Sequence, residues 1–334
     1  MASTNPAASE RGSRPLPAAP GTLAWLAFAA VCFFWGTTAN AIRVGVQHIP
    51  PVFMSGARFF VAGLLATTLL VSFGRRLPRG RRQWSFVLAG GLGLAAANGT
   101  LNVGFTQVPS GLGSLLVSSN GLWIALIEAA WPGGRAPRAA AWAGLVAGFL
   151  GVAVLMVGKG ISGADPFHLA LMIASALFWA VAIVYQHRRS RVEEVPDAMM
   201  AAALQMLIAT PPLLVVSAAL GERPVWPVPA DSTLAFVWLV LFGSLVGYMA
   251  YQYSISKLSV SVLGLVPLIN PVVAVLIGWW LLGESLSGRF WLAAALVLAG
   301  VALVRWSESH PPAEGERDVP PSLDGVAQPA EGDQ

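Results

Sequence analysis

Between residues 22 and 305, charge is pressed into short gaps that separate apolar runs of about 20 residues. A helix rises 1.5 Å per residue, so a run of that length crosses the roughly 30 Å hydrocarbon core of a bilayer. Charged residues make up 11% of the 334, against about 25% in a soluble domain. Apolar residues make up 56%, and mean hydropathy is +0.67. A soluble protein of this length needs far more polar surface to coat its domains. The pattern therefore excludes a soluble enzyme, a disordered chain and a nucleic-acid binder, and it predicts an integral membrane protein. Cys32 is the single cysteine, so an intrachain disulfide and a cysteine metal cluster are both ruled out.

The runs predict an all-α chain of ten transmembrane helices. Their spans are 22–46, 51–73, 84–106, 111–131, 139–157, 166–187, 196–219, 232–256, 259–282 and 289–305. The stretch 107–111, broken by Pro109 and Gly111, is the only thing separating spans 3 and 4 from one long span. Residues 1–20, rich in Ala, Pro and Ser, and the acidic residues 307–334 read as disordered cytoplasmic tails. Span 1 is too long for a signal-peptide core and reads as a retained helix.

The basic residues fix an expected orientation. With the N-terminus inside, the cytoplasmic segments hold Arg11, Arg14, Arg75, Arg76, Arg79, Arg81, Arg82, Arg135, Arg138, Arg188, Arg189, Arg191, Lys257, Arg305 and Arg317. These are 15 of the 20. Lys159, Arg223 and Arg289 fall at outer ends, and Arg43 and Arg58 fall within spans toward the outside. The positive-inside rule then gives an N-in, C-in chain. Trp84, Trp142, Trp226 and Trp306 lie near the expected interfaces, as an aromatic belt requires.

The chain also matches itself. Asn120-Gly121 pairs with Asn270-Pro271, Gly133-Gly134 with Gly283-Glu284, and Gly151-Val152-Ala153 with Gly300-Val301-Ala302. Phe34-Trp35 pairs with Phe178-Trp179. The halves are 22–157 and 166–305, each of five spans. Five is odd, so the copies are inverted, an arrangement that puts a transport site near the midplane between them.

The stretch FFWGTTANAIRVGVQHIPPVFMSGARFFVAGLL carries Trp35-Gly36, Arg43, Ile49-Pro50-Pro51 and Ala57-Arg58-Phe59. Span 9 reads GLVPLINPVVAVLIGWWLLGESLSGRFW, with Pro267, Pro271 and Gly283-Glu284. Together these resemble EamA-type proteins of the drug/metabolite transporter superfamily over residues 22–305. One departure stands out. The first half has Trp131-Pro132-Gly133-Gly134-Arg135 where the family usually has Gly-Glu, so span 4 is expected to end differently.

Buried charge in a membrane is costly and marks functional candidates. Arg43 and Arg58 are expected to be structural or gating residues, and snorkelling or carbonyl bonding would serve either one. Glu128 is a candidate coupling group, the alternative being an interfacial carboxylate near Arg135. The spans also hold polar and aromatic groups that seek partners: Asn120 and Tyr251 among them, and the substrate-binding candidates Trp35, Thr38, Asn40, Asn98, Asn102, Ser119, Trp123, Trp179, Tyr248, Gln252 and Asn270. Asn98 and Asn102 share a helix face, as do Tyr248 and Gln252. For each, interhelical bonding or core filling is the alternative to a cavity wall. Pro271 either kinks its helix or frees a carbonyl at a cavity. Gly144, Gly148 and Gly151 let span 5 pack closely against a neighbouring helix, a structural role, with a homodimer contact as the alternative.

No P-loop, His-Glu-x-x-His motif or deep aspartate is present, and no cofactor or metal is expected. The expectation is a multi-pass transporter in a bacterial inner membrane that moves a small molecule by alternating access. The resemblance implies export of amino acids, related neutral or zwitterionic metabolites, or drugs. An importer or uncoupled facilitator is the rival within transport, and a non-transporting membrane enzyme or scaffold is the rival outside it.

Overall fold

The computed structural model describes residues 21–108, 110–134, 136–156, 165–192, 195–282 and 288–309. Of the tails expected at 1–20 and 307–334, residues 1–20 and 310–334 lie outside the described residues, as do Lys159, Arg135 and Gly283-Glu284. The regular structure among the described residues is all helical, with no strand. The helices are α1 (Thr22–Gly45), α2 (Pro51–Ser72), α3 (Gly80–Gln107), α4 (Ser110–Ser118), α5 (Asn120–Ala130), α6 (Ala139–Met156) and α7 (Pro166–Val192). Then follow α8 (Ala198–Ala219), α9 (Ala230–Trp238), a π-helical stretch (Leu239–Val246), α10 (Gly247–Lys257), α11 (Val260–Leu263), α12 (Val266–Leu282) and α13 (Gly288–Ser309). Six helical stretches are long and apolar enough to cross a bilayer, and Leu115–Ala130, Ala139–Val154, Val260–Val273 and Gly288–Val304 are shorter apolar stretches. Outer faces carry exposed Phe60, Leu64, Leu65 and Leu69 on α2, and Leu214, Val215 and Val216 on α8, a surface that suits lipid rather than water.

The ends of α2 and α8 explain why these two helices lie antiparallel against each other. α2 stops at Gly74 (φ 74°) and α8 at Gly221 (φ 71°), left-handed positions that favour glycine. In both, the next amide returns to close the turn, Arg75 N to Leu70 O and Glu222 N to Ser217 O. The side chains of those same two residues then reach the start of the opposite helix. Glu222 accepts from the N-terminal amides Val52 N (3.1 Å) and Phe53 N (2.8 Å) of α2. Arg75 pairs at 3.0 Å with Asp197, whose other oxygen caps Met200 N of α8. A carboxylate at a helix N-terminus meets unsatisfied N–H groups and the positive end of the dipole.

Three expected spans are not regular helices. Span 4 is broken at Ser119, whose hydroxyl donates to Leu116 O. Span 9 is broken at Gly264-Leu265. The two breaks meet, because a Cβ on Gly121 would collide with the Gly264 carbonyl oxygen. Span 8 contains the π-helical stretch, where a Cβ on Gly247 would fall 2.6 Å from Trp35 Nε1. The indole of Trp35 therefore needs a backbone without a side chain there. Span 10 continues to Ser309, past the expected start of the C-terminal tail.

Gly144, Gly148 and Gly151 pack within the chain, the structural role that the sequence pattern suggests. Cβ atoms would meet Gly300 O at 2.6 Å from Gly144, Leu268 Cδ1 at 2.8 Å from Gly148, and Ala293 O at 2.9 Å from Gly151. Small residues let α6 and α13 approach backbone to backbone, so this stripe is spent inside the molecule.

Candidate functional site

A cavity of about 130 Å³ lies among α1, α2, α3, α7, α10 and α12. Of the eleven residues expected to bind substrate, six line it: Trp35, Thr38, Asn98, Trp179, Tyr248 and Asn270. Asn120, Tyr251, Ser175 and Arg58 join them. One wall is aromatic. Trp35 stands 4.8 Å from Tyr251 and 5.5 Å from Trp179 between ring centroids, and Trp179 stands 6.2 Å from Tyr248. Trp35 is held by its indole N–H, which donates to Gly243 O at 2.9 Å in the π-helical stretch. Such a stretch leaves a carbonyl without its usual partner, and here the carbonyl positions a wall residue.

Asn120 and Asn270 are held alike. The Asn120 amide donates to Ala176 O (2.9 Å), and the Asn270 amide nitrogen donates to Cys32 O (3.2 Å) and Val266 O (3.0 Å). Ala176 and Cys32 each lie three residues before a cavity tryptophan, Trp179 and Trp35. The internal match that pairs the tryptophans and the asparagines therefore pairs their hydrogen bonds as well. Pro271 has no N–H, so it leaves Pro267 O free within α12, and the Ser118 hydroxyl donates to that oxygen at 2.7 Å. The Pro267 side of this break borders the cavity.

The other expected residues sit elsewhere. Asn40 is exposed on α1. It lies two residues, or about 200°, around the helix from Thr38, which turns it away from the cavity. Asn102 is buried between α2 and α3, donating to Pro51 O (3.2 Å) and Ser55 Oγ (2.6 Å). Ser119 marks the α4–α5 break, and Trp123 packs against the main apolar core. Gln252 lies one helical turn below Tyr248 in a buried amide cluster. Its amide donates to Gln186 Oε1 (3.0 Å) and Gln205 Oε1 (2.5 Å). Tyr248 Oη donates to the same Gln205 oxygen at 2.6 Å. Gln252 borders a second pocket, beside Asp197 and Lys257, so the cluster forms a polar floor between the two spaces. Ser175 lines the cavity, and Gln186 and Gln205 complete the amide cluster with Gln252; the sequence reading singled out none of the three. An amide inside an apolar span is the signal that would have found the two glutamines, and the Asn120–Asn270 match already pointed to Asn120.

The charged candidates separate. Arg43 donates to Phe105 O (3.2 Å) and Val108 O (3.1 Å), which caps the C-terminus of α3 as a cation at the negative end of a helix dipole should. Glu128 forms a two-point ion pair with Arg188 of α7, at 3.1 and 2.7 Å. The pair borders a separate 700 Å³ vestibule with Trp131 and His187, and Arg135 lies outside the described residues. Arg58 is 6% exposed and lines the central cavity. Its Nη2 donates to Asn98 Oδ1 at 3.1 Å, and its Nε is buried without a partner.

Comparison with known proteins gives the family. The chain matches the EamA-like transporter family twice, over residues 22–157 and 167–306. It is 35% identical over 276 residues to the protein named "Uncharacterized inner membrane transporter YedA" of Escherichia coli (strain K12), covering 82% of this chain and 88% of that one. It is 27% identical over 273 residues to a "Probable terminal-alkyne amino-acid exporter" of Streptantibioticus cattleyicolor, covering 81% and 89%. One crystal structure shares the fold with a TM-score of 0.71 at 23% identity, covering 87% of this chain and all of that one. With the family matched over both halves of its helical region, this chain belongs to the EamA-like transporters and is a multi-pass protein of the inner membrane.

Proposed function

We propose that this transporter is a secondary exporter of small metabolites, amino acids foremost, working by alternating access. The observation that carries the reading is the central cavity, walled by Trp35 and Trp179 and flanked by Asn120 and Asn270, matching residues of the two halves. A site built between two copies of one repeat is the geometry on which rocking carriers work.

We further read ten membrane-crossing helices in two inverted halves, 22–157 and 166–305, with both termini inside. The double family match supports the division. So do the paired bonds of Asn120 and Asn270 and the matching ends of α2 and α8. Arg75, Arg188 and Lys257 border one end of the helix bundle, beside Asp197, Glu128 and the second pocket, which agrees with a cytoplasmic side there. The wide vestibule lies at that end, where an exporter loads. In this reading Trp35, Thr38, Asn98, Asn120, Trp179, Tyr248, Tyr251 and Asn270 contact substrate. Arg43, Asn102, Ser119 and Gln252 brace the helices that carry them.

The size of the cavity favours small metabolites over drugs, since 130 Å³ lies well below the roughly 300–1,000 Å³ of drug-sized sites. An uncoupled facilitator is the second reading, favoured by one observation. Among the described residues no carboxylate lines the cavity, and Glu128 is tied to Arg188.

Flux of a labelled amino-acid panel in proteoliposomes, with and without an imposed pH gradient, tests both. Uphill movement driven by the gradient supports a coupled exporter. Movement that stays downhill supports the facilitator. No movement of any solute removes the transport reading for this panel.

A further inference from the structure

Among the described residues Arg58 is a cation without a counter-charge. It is 6% exposed, and of its five N–H donors one is used, by Asn98 Oδ1. It also lies 4.5 Å from the Phe59 ring, a contact that leaves its donors free. The acids whose side chains are described are all engaged elsewhere. Glu128 pairs with Arg188 and Asp197 with Arg75. Glu222 caps α2, and Asp231 accepts from Ser232 N. Asp165 pairs with His168, whose side-chain hydrogen bond holds the carboxyl below the usual aspartate range. A buried, unpaired cation is an expensive thing to retain in a bilayer, and it persists where a partner arrives from outside the chain.

We infer that Arg58 is the anchor for a substrate carboxylate, and that Asn120 Oδ1 with the aromatic wall receives the substrate's ammonium group. This rests on the transport reading and names the charge pattern its substrate carries. Two unmet groups border one cavity with opposite needs: Arg58 offers unused donors, and Asn120 Oδ1 is a buried acceptor without a partner. The faces of Trp35, Trp179 and Tyr251 add cation–π surface for an ammonium. A planar guanidinium fork fits a carboxylate in two-point fashion. Arg58 is the one charged side chain lining the cavity among the described residues, so a single negative charge balances it, whereas a phosphate group carrying about −2 would not. The volume of 130 Å³ holds about four waters at roughly 30 Å³ each, room for a short amino acid.

The test uses the full chain with three solutes of one shape: L-alanine, propionate without the ammonium group, and L-alaninamide without the carboxylate. Binding is read by tryptophan fluorescence and flux in proteoliposomes. In the unaltered protein alanine is expected to bind best, propionate next, and alaninamide about 30-fold or more weaker than alanine. Arg58→Gln is expected to abolish the preference for acid over amide. Arg58→Lys, which keeps the charge and loses the fork, is expected to fall between. Asn120→Ala is expected to weaken alanine and leave propionate unchanged. An amide that binds or crosses as well as the acid in the unaltered protein overturns the anchor, whatever the variants do, and leaves transport standing. Quenching and flux by none of the three also overturn it, and the wider panel then decides transport separately.

Discussion

At the scale of single residues, the polar side chains divide by their level along a helix as well as by the face they occupy. Asn98 and Asn102 lie one turn apart on α3, yet Asn98 lines the cavity while the Asn102 amide nitrogen donates to Pro51 O and Ser55 Oγ of α2. Replacing Asn102 by Ala removes two buried hydrogen bonds and strands Ser55 Oγ's partner site. We expect a loss of stability on the order of 1–3 kcal/mol, read by denaturation in detergent. The solute preference of the protein that remains folded should be unchanged. A changed preference would move Asn102 into the binding set. Arg58 is the counterpart: its removal should change selectivity before stability.

At the scale of elements, glycine decides where helices touch. Gly300 and Gly144 bring α13 and α6 into backbone contact, each opposed to the other's carbonyl oxygen. Gly300→Leu forces that pair apart and should cost about 1–3 kcal/mol, seen as a lower melting temperature. Melting unchanged from the parent would mean that the helices are not packed this way. The breaks in spans 4 and 9 follow the same logic. Gly121 meets Gly264 where both helices are interrupted, and Ser118 donates to the carbonyl that Pro271 leaves open. Interrupted helices are tolerated in a membrane where protein or a cavity satisfies the freed groups. The breaks fall on Ser118-Ser119-Asn120-Gly121 and on Gly264, small and polar residues set between long apolar runs, so a reading by run length passes over them. Span 8 is the sharpest case. Nothing in its residues distinguishes the π-helical stretch from a regular helix, and the Trp35 indole against Gly243 and Gly247 accounts for it.

At the scale of the whole molecule, charge is kept to the ends of the bundle except at Arg58. Glu128 and Arg188, each about one-fifth exposed, tie α5 to α7 beside the vestibule. If the pair is a brace, Glu128→Gln should leave the response of flux to an imposed pH gradient the same as in the parent. A gradient dependence that disappears with this substitution would make Glu128 the coupling group. The features that match between the two family-matched segments recur across the described residues. They include the tryptophans, the asparagine bonds, and the glycine ends of α2 and α8 with their reaching partners Arg75 and Glu222.

The sequence by itself determined the membrane class, the order of the apolar helices, the internal match and the inventory of polar groups, because run length and charge placement set these locally. Tertiary structure alone decided which of those groups meet. The helices are apolar nearly all round, so no amphipathic stripe in the sequence tells how each is rotated about its axis. Packing sets that rotation. It turned Asn40 outward, sent Asn102 and Gln252 to brace neighbouring helices, brought Asn120 and Tyr251 to the cavity, and left Arg58 there with a charge that the described chain does not balance.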